Sequence, residues 1–333
     1  MGIIVQKFGG TSVANAESRR SVLRQVSKAR YDGHQVVVVV SAMGRKGDPY
    51  ATDTLLQLLE EVNPTVSPRK NDLIMSCGEI ISSALLSHYL ESSGIPSEPM
   101  TGFQAGIETT DEFNNSEVMD INTSRILKVL EQGKVPVIAG FQGITKSGEI
   151  TTLGRGGGDT AAVAIGGYLK AERVDIFTDV FGIAKIDPRI IPTAPYMTSV
   201  SYKNMLNLAE NGARVIHPRA VALAEKFNIN LRVRSTFSES EGTTITSDDE
   251  PSGDRVIGLA LEKGEAFSKL FVLVNDSRIK DTKIELDHFM ESLNPKIEDA
   301  VWDNNSFVMK LPTLSSIEII KGLYEKFCRR SYD

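Results

Sequence analysis

The chain contains 333 residues, which is long for one domain and sufficient for two. Hydrophobic residues make up 41% of the chain and charged residues 24%, proportions that are typical of globular proteins and exclude a disordered chain. The net charge of −6 argues against a nucleic-acid partner, since such domains usually carry a basic face. It does not exclude anionic substrates, which a local cluster of lysines and backbone amides can bind.

The cysteines and the N-terminus predict a cytoplasmic protein with no membrane partner. Cys77 and Cys328 are too few for a disulfide framework, and neither has metal-ligand spacing around it, so any protein metal ligands are left unknown. The first residues, MGIIVQKFGG, lack the basic stretch and apolar core of a signal peptide. The longest aliphatic run, Val36–Val40, is far too short to span a membrane.

Strand and helix patterns alternate through the first two thirds of the chain. The predicted strands are 3–5, 36–40, 135–139, 174–177 and 229–233, and the predicted helices are 16–29, 54–62, 79–92, 126–131, 159–169, 202–211 and 218–227. A continuous β-branched run such as Val36–Val40 is typical of a strand buried on both faces of a parallel sheet. The alternation therefore predicts an α/β fold, a three-layer α/β/α sandwich around a mostly parallel sheet.

The last eighty residues show a different pattern. A polar stretch around 247–254 predicts a domain boundary, with one domain at 1–247 and a second at 254–333. In the second domain, strands are predicted at 256–262, 269–274, 297–301 and 307–311, and helices at 283–293 and 315–327. We expect these elements to form a small ferredoxin-like α+β module of the order β-α-β-β-α.

Two short loops follow predicted strands and suit an anionic ligand. Lys7–Ser12 places two glycines directly after the first strand, where successive N–H groups form an anion nest and Lys7 supplies a positive charge. Ser41–Gly44 follows the second strand, at the strand end where ligands bind in open α/β sheets. On its own, the first loop is more typical of a strand-ending turn, and the second is also compatible with a tight turn.

The loop Gly154–Thr160 is more specific, because three consecutive glycines are entropically costly to order. Arg155 offers a planar fork for a carboxylate. Asp159 is expected to open a helix, where it could be the N-cap. In a phosphate site it could instead orient the catalytic lysine or hold Mg²⁺, and the two roles are compatible. Further along, Thr178–Ile183 and Asp187–Arg189 suit a nucleotide base and ribose, or form two turns.

Together these segments resemble the aspartate kinases of the amino acid kinase superfamily. The matching segments, in order, are Lys7–Ser12, Ser41–Gly44, 76–79, 101–106, 139–143, Gly154–Asp159, 178–179, 187–189, 212–219 and 232–235. They cover residues 1–247, and 41–53 is similar to the Bacillus-type enzymes. The resemblance implies the amino acid kinase fold with a shortened ACT-like C-terminal region.

The resemblance implies transfer of the ATP γ-phosphoryl group to the β-carboxylate of L-aspartate. The product is 4-phospho-L-aspartate, which leads to lysine, threonine and methionine. It implies ATP and Mg²⁺ as cofactors, L-aspartate or a similar acidic amino acid as substrate, and a homodimer or higher homo-oligomer through the C-terminal module. A carboxylate is already an ionised nucleophile, so catalysis needs positioning and charge neutralisation rather than a general base.

The resemblance also assigns roles to individual residues. Lys7 neutralises the transferring phosphoryl group, and Asp159 organises Lys7 and nearby donors. The substrate-binding residues are Ser41, Thr52, Glu79, Arg155 and Gly158, with Glu79 on the ammonium group and Arg155 on a carboxylate. The nucleotide-binding residues are Lys7, Phe8, Gly9, Gly10, Thr178, Asp179, Ala184, Asp187, Arg189 and Arg214.

Two residues depart from the family pattern. The family loop usually reads G-R-G-G-S-D with a serine that touches the substrate, and Gly158 stands there instead. One lost hydroxyl hydrogen bond costs about 0.5–1.5 kcal/mol, which raises KM or marks a changed substrate. The family usually has Lys where Arg214 stands, so the charge is kept but its geometry changes.

These departures leave two alternatives to an aspartate kinase. One is an ATP-dependent kinase of another amino acid carboxylate in a specialised pathway, and the other is a catalytically silent regulatory subunit. Retention of Lys7, Glu79, Arg155 and Asp159 argues against the silent subunit.

The C-terminal region is shorter than the family's usual pair of ACT modules, which bind lysine or threonine. The turn 275–282 lacks the usual glycine, so we expect weak or absent feedback inhibition. The module would then serve folding, dimerisation or binding of another protein.

Overall fold

The computed structural model describes residues 2–248, 254–292 and 298–328. Spatial contacts divide the chain into two compact units. The first comprises Met1–Phe181 and Arg219–Ser247, and the second comprises Gly182–Pro218 and Asp248–Asp333. The domain boundaries at 1–247 and 254–333 stay a prediction.

The elements are numbered along the chain. The strands are β1 (Ile3–Phe8), β2 (Gln35–Val40), β3 (Ser97–Met100), β4 (Ile107–Thr109), β5 (Val118–Ile121), β6 (Val135–Ala139), β7 (Gln142–Ile144), β8 (Ile150–Thr152), β9 (Arg173–Thr178), β10 (Ser199–Ser201), β11 (Leu231–Ser235), β12 (Thr243–Thr246), β13 (Val256–Glu262), β14 (Phe267–Val274), β15 (Glu298–Asp303) and β16 (Ser306–Pro312). The α-helices are α1 (Gly10–Val13), α2 (Ala16–Tyr31), α3 (Thr52–Val62), α4 (Pro68–Ser92), α5 (Ser124–Glu131), α6 (Gly157–Tyr168), α7 (Tyr202–Glu210), α8 (Pro218–Phe227), α9 (Ile279–Ser292) and α10 (Thr313–Phe327).

The main sheet of the first unit is mostly parallel, as predicted. Within this unit its strands follow the order β12-β11-β9-β1-β2-β6-β3. All neighbours from β11 to β3 pair in parallel, and β12 pairs antiparallel with β11. The predicted strand Val36–Val40 is buried throughout, with Val37 to Val40 fully inaccessible. Burial on both faces explains why the strand is a continuous apolar run.

Helices cover both faces of this sheet, which confirms the three-layer sandwich. On one face, Val22 and Val26 of α2 pack in one buried cluster with Leu86 and Leu90 of α4. On the other face, α6 lies against β1, β2 and β9. Gly166 of α6 makes this contact close, because an added Cβ would lie 2.5 Å from a methyl group of Val174.

Helix α4 is longer than predicted. It begins at Pro68 rather than at residue 79, and Gly78 lies inside it rather than before it. A Cβ on Gly78 would lie 2.8 Å from the Cβ of Ala42, so glycine here allows the loop after β2 to approach the helix. Among the described residues, α4 alone is long and apolar enough to cross a membrane by length and composition. Half of its most apolar stretch is buried inside the protein, and the helix packs against β3, β6 and β8, as a core helix does.

A small second sheet of the first unit is absent from the sequence prediction. It has the order β5-β4-β7-β8, with antiparallel pairs at both edges and a parallel pair between β4 and β7. Each of its strands has three or four residues, which is too short for a hydrophobic period to be recognised. This sheet matters for function because β8 leads directly into the glycine loop that begins at Gly154.

The second unit contains a four-stranded antiparallel sheet of order β13-β14-β16-β15, with α9 and α10. Leu270 and Val272 of β14 and Leu323 of α10 belong to its buried core. The four strands and two helices agree with the predicted α+β module. The observed order is β-β-α-β-β-α, because β13 precedes β14 and pairs with it at the sheet edge. The predicted strand 297–301 and helix 283–293 extend into residues outside those described.

Candidate active site

A cavity of about 350 Å³ lies in the first unit, where β1 and β2 reach their carboxyl ends. Ligands bind at this edge in open α/β sheets. The cavity gathers most of the predicted catalytic and substrate-binding residues. Its lining comprises Lys7, Gly10, Ser41, Ala42, Gly44, Arg45, Lys46, Ala51, Thr52, Asp53, Glu79, Phe141, Gly154–Gly158 and Asp159.

The two predicted catalytic residues form an ion pair in this cavity. Lys7 Nζ lies 2.7 Å from Asp159 Oδ1, and the side chains are only 12% and 13% exposed. Lys7 comes from β1 and Asp159 from the first turn of α6, so the pair joins the central strand to the helix that covers it. The limited exposure strengthens the pairing relative to a surface ion pair.

Helix α6 begins two residues earlier than predicted, and this changes the role of Asp159. The N-cap is Gly156 rather than Asp159, and its φ of +70° is a left-handed conformation that glycine adopts without strain. Asp159 is the third residue of the helix, so its carboxylate is available to Lys7 and also complements the positive end of the helix dipole. The N-terminus of α6 itself faces the cavity.

Glu79 lies in the middle of α4, not at its start, and it is 3% exposed. Its Oε1 accepts a hydrogen bond from the backbone N–H of Ala42 at 3.0 Å. Its Oε2 is buried without a hydrogen-bond partner among the described residues. Burial raises the pKa of Glu79 to about 8, although the Ala42 N–H and the nearby Lys7 charge act in the opposite direction.

The other predicted substrate-binding residues line the same cavity as Glu79. Ser41 follows β2, and its backbone N–H donates to the Phe8 carbonyl at 3.1 Å. Thr52 is the first residue of α3, and Arg155 is an exposed residue of the glycine loop. A Cβ on Gly158 would lie 3.0 Å from Ser41 Oγ and 3.3 Å from Lys7 Cε, so the residue at 158 controls the space between these two groups.

The loop after β1 differs in its details from the sequence expectation. Gly10 lines the cavity, whereas the N–H of Gly9 donates to the carbonyl of Phe177 at 3.3 Å. The side chain of Phe8 is fully buried and stacks on Phe177 with ring centroids 4.7 Å apart. Phe8 can therefore offer a ligand only its backbone.

The predicted nucleotide-binding residues belong to both compact units. Thr178 and Asp179 follow β9 in the first unit. Asp179 Oδ2 accepts a hydrogen bond of 2.6 Å from Arg45 Nη2, an exposed pair at the loops after β2 and β9.

The remaining predicted nucleotide-binding residues lie in the second unit. Ala184 forms an isolated antiparallel bridge with Tyr196. Arg189 pairs with Asp187 at 2.6 Å, and the hydrogen bond from Arg189 holds the pKa of Asp187 below its ordinary value. Arg214 pairs with Glu262 at 2.8 Å.

The carboxylates of the described residues do not form a metal cluster. No group of three or more His, Cys, Asp or Glu residues has the arrangement needed to hold a metal ion in the described part of the chain. Asp159 is paired with Lys7, and Asp179 with Arg45. These residues therefore do not make a dedicated protein cage for a cation.

Two residues that support the glycine loop were missed by the sequence interpretation. Asp72 is fully buried and accepts hydrogen bonds from the Asn114 N–H at 2.9 Å, the Thr152 N–H at 3.0 Å and the Thr152 hydroxyl at 2.6 Å. These bonds fix the end of β8 to α4. A buried carboxylate that accepts several N–H bonds is structurally important, but an isolated Asp in a polar stretch carries no such signal in the sequence.

The second such residue is Arg219, which contacts Leu153, the residue after Thr152. Its Nη1 donates to the Leu153 carbonyl and to Asn115 Oδ1, each at 2.9 Å. This contact lies immediately before Gly154, so Arg219 also anchors the glycine loop. The segment 212–219 resembles the family, but its amino-acid sequence alone does not indicate that Arg219 contacts Leu153.

Comparisons with known proteins agree with this geometry. The model of the amino acid kinase family matches residues 2–235. The curated Aspartokinase 1 of Bacillus subtilis is 48% identical over 247 residues, which is 74% of this chain and 61% of that protein. The aspartokinase of Bacillus sp. strain MGA3 is 41% identical over 319 residues, which is 93% of this chain and 75% of that protein.

A solved structure supports the same relationship. The crystal structure of aspartate kinase from Synechocystis is 36% identical, has a TM-score of 0.65 and covers 99% of this chain and 56% of that chain. The chain belongs to the amino acid kinase family, and within that family to the aspartokinases. It spans 61% of the length of the Bacillus subtilis relative and 59% of the Geobacillus stearothermophilus relative.

Proposed function

We propose that this chain is an aspartate kinase, which transfers the γ-phosphoryl group of ATP to the β-carboxylate of L-aspartate and forms 4-phospho-L-aspartate. One observation carries the proposal: the Lys7–Asp159 ion pair opens onto the same cavity as Glu79 and Arg155. A cation for a phosphoryl group, a carboxyl group for an ammonium and a guanidinium for a carboxylate are what this reaction requires. The aspartokinase relatives make aspartate the first acceptor to test.

Glu79 and Arg155 are suited to orient an amino acid. The unpartnered Oε2 of Glu79 can accept a hydrogen bond from the substrate ammonium, and the positive charge of that group would favour the ionised form of Glu79. Arg155 can hold the α-carboxylate with its planar fork. Ser41 and Thr52 then border the β-carboxylate, which is the nucleophile.

Lys7 and the start of α6 are suited to stabilise the transferring group. Negative charge on the phosphoryl oxygens is favoured beside the Lys7 ammonium and at the positive end of the helix dipole. Asp159 keeps Lys7 in place through the 2.7 Å ion pair. Fixing the reacting groups in this way supplies catalysis by positioning and charge neutralisation, without a general base.

ATP fits the donor set of the cavity at its phosphate end. Lys7, Gly10 and the first residues of α6 provide a cation and backbone amides in one place. We assign Thr178, Asp179, Ala184, Asp187, Arg189 and Arg214 to the nucleotide on the basis of the family resemblance. Mg²⁺ would enter as MgATP, because ions of this type usually keep their waters and bind through substrate phosphates and one or two carboxylates.

A second candidate function is a kinase that acts on another amino acid carboxylate. It is favoured by Gly158, which lies against Ser41 Oγ and Lys7 Cε in the cavity and lacks the hydroxyl group that the family loop usually offers to the substrate. A silent regulatory subunit is the third alternative, and the assembled ion pair and cavity argue against it.

For the second unit, we propose that the module contributes to a homodimer or a larger homo-oligomer, and that lysine and threonine inhibit weakly or not at all. The turn 275–282 lacks glycine, and Asn275 caps a short helical turn there through a 3.1 Å bond to the Ser277 N–H. Sedimentation equilibrium tests the assembly. Strong inhibition of the kinase reaction by lysine or threonine at sub-millimolar concentration would contradict the proposed weak feedback. We expect the enzyme to act in the cytoplasm.

An acceptor panel tests the proposed reaction. ADP release is measured with MgATP and aspartate, glutamate or other acidic amino acids, with Lys7→Met as the inactive control. Release with aspartate alone supports the aspartate kinase, and faster release with another acid supports the second candidate. No release with any acid supports the silent subunit.

A further inference from the structure

A second cavity of about 150 Å³ lies in the first unit, on the face of the main sheet opposite the active site. Gln6 lines this cavity, and its amide points toward α2, where Nε2 donates to the Gln25 carbonyl at 3.4 Å. The next residue, Lys7, lines the active-site cavity. Successive side chains of a strand point to opposite faces, so the two cavities are separated by the sheet.

Arg234 is the unusual residue of this second cavity. It lies on β11 and is only 4% exposed. Its Nε and Nη2 have no hydrogen-bond partner among the described residues. Its guanidinium lies 5.3 Å from the centre of the Phe177 ring, a contact that leaves these N–H groups unpaired. Buried guanidinium groups are normally paired, so this arrangement needs an explanation.

The other cations of the cavity have acidic partners. Arg232 Nε lies 2.8 Å from Asp175 Oδ1 and its Nη1 pairs with Glu241, while Arg173 Nε lies 3.2 Å from Asp175 Oδ1. Burial alone would lower the pKa of Arg232, but the bonds and charges of Asp175 raise it overall, with help from Glu241. Lys28 Nζ lies 3.6 Å from Glu239 Oε2, so Arg234 is the one basic residue of the lining without an ion-pair partner among the described residues.

Arg234 lies close to two other guanidinium groups. Burial lowers the pKa of Arg234, and the neighbouring Arg232 and Arg173 lower it further, against the opposing charges of Asp175 and Glu241. The lining contains four basic residues and three acidic ones, which are Lys28, Arg173, Arg232 and Arg234 against Asp32, Asp175 and Glu241. Two further carboxylates, Glu239 and Glu172, pair with Lys28 and Arg173. The place for a negative charge is therefore the unpaired edge of Arg234 rather than the cavity as a whole.

The unpaired atoms also define the shape of the missing partner. Nε and Nη2 form one edge of the guanidinium, and this edge matches two oxygens of a carboxylate or phosphate. Gln6 Oε1, which lines the same cavity, is a buried acceptor without a partner among the described residues. An oxyanion that also carries a proton, such as hydrogen phosphate, satisfies both groups.

We propose that this cavity is a binding site for a small protonated oxyanion of the hydrogen phosphate type, held side-on by Arg234 and hydrogen-bonded to Gln6. The site does not depend on the proposed kinase activity. It also explains why the chain keeps a buried, unpaired guanidinium. A group retained for binding costs stability in the free protein and is stabilised when the anion is present.

Calorimetric titration with inorganic phosphate tests the site. The protein used is the full chain with the substitution Lys7→Met, which removes the cation proposed to bind phosphate in the active site. We expect one phosphate to bind. Adding Arg234→Met should weaken phosphate binding by about tenfold or more. Adding Arg125→Met instead is the control, because Arg125 forms an exposed ion pair with Glu98, and it should leave phosphate binding unchanged. Equal affinity with and without Arg234, or no binding at millimolar phosphate, would overturn the proposal.

Thermal unfolding in chloride, without phosphate, provides an independent readout. Arg234→Met should unfold at the same or a higher temperature than the parent protein, because a buried unpaired charge is replaced by an apolar side chain of similar length. A lower temperature would identify Arg234 as a structural residue and contradict the proposal. If Arg234→Met does not fold, Arg234→Lys is titrated instead, because lysine keeps the charge but lacks the planar guanidinium. A phosphate affinity of Arg234→Lys equal to that of the parent protein would overturn the proposal.

Discussion

Lys7 of β1 and Asp159 of α6 form an ion pair of 2.7 Å, although they lie 152 positions apart in the sequence. The pair lies where the central strand ends and the covering helix begins, and both side chains are largely shielded from solvent. Here the loop after β1, a weak sequence signal on its own, meets the more specific glycine loop that begins at Gly154.

Replacement of Lys7 should remove turnover while keeping the fold. Lys7→Met should lower kcat by about 10²–10³-fold or more, because the charge that stabilises the transferring phosphoryl group is lost. Asp159→Asn should lower kcat less, since the lysine remains but is no longer fixed. Steady-state ADP release measures both variants, and circular dichroism checks the fold. Unchanged kcat in Lys7→Met would refute the role of Lys7.

Glu79 should make the binding of the amino acid depend on pH. With a pKa of about 8, Glu79 carries a proton at neutral pH and cannot pair fully with the substrate ammonium. The KM for aspartate should therefore fall as the pH rises from 6.5 toward about 8. Glu79→Gln should have a raised KM that does not change with pH. A parallel fall of KM in both proteins would rule out Glu79 as the titrating group.

The same raised pKa predicts a pH dependence of stability. Between the ordinary value of 4.5 and about 8, the folded protein keeps a proton on Glu79 that the unfolded chain releases. The free energy of unfolding should therefore fall by about 1.4 kcal/mol per pH unit from this group alone. Urea denaturation at pH 5, 6.5 and 8 measures it. As the pH rises, the free energy of unfolding of Glu79→Gln should increase relative to that of the parent protein. A difference that stays constant with pH would contradict the raised pKa of Glu79.

Gly158 should control the affinity for the acceptor. Gly158→Ser places a Cβ 3.0 Å from Ser41 Oγ, so the Ser41 side chain must move by a few tenths of an ångström. The added hydroxyl can donate one hydrogen bond to the substrate, worth about 0.5–1.5 kcal/mol, and the KM for aspartate should fall by about two- to tenfold. Gly158→Ala adds the Cβ without the hydroxyl and is the matched control. A KM that falls equally in both variants would show that the hydroxyl is not responsible.

Asp72 should stabilise the first unit and the loop that forms the site. Asp72→Asn replaces one acceptor oxygen with a donor group next to the N–H groups of Asn114 and Thr152, and should lower the free energy of unfolding by about 2–3 kcal/mol. Asp111→Asn, at an exposed position, is the control and should have little effect. Urea denaturation compares the two variants. Equal stability of Asp72→Asn and the parent protein would show that the hydrogen bonds of Asp72 do not stabilise the attachment of β8 to α4.

The sequence predicts the parts of the fold that have long, periodic or fully buried elements. The run Val36–Val40 and the helix Pro218–Phe227 occur where expected, because burial on both faces and a proline at N1 are strong local signals. The small sheet of β4, β5, β7 and β8 was not predicted, since strands of three or four residues show too little periodicity. The early start of α4 was hidden by Gly78, whose presence reflects a tertiary contact with Ala42.

The site shows the same division. The family resemblance identified Lys7, Glu79 and Asp159, and the structure brings them to one cavity. Asp72 and Arg219 were not identified, because they act through contacts with backbone groups that lie 80 and 66 residues away in the sequence. The protonated state of Glu79 could not be predicted either, since it depends on burial rather than on neighbouring residues in the sequence.

Trapping of the reaction product tests the central claim most directly. The full chain is incubated with MgATP, L-aspartate and hydroxylamine, which converts an acyl phosphate into a stable hydroxamate that mass spectrometry identifies. The account predicts aspartate β-hydroxamate in amounts equal to the ADP released, and neither product with Lys7→Met. Release of ADP without aspartate β-hydroxamate, or a hydroxamate of another acid formed in preference to it, would contradict the assignment of aspartate as the acceptor.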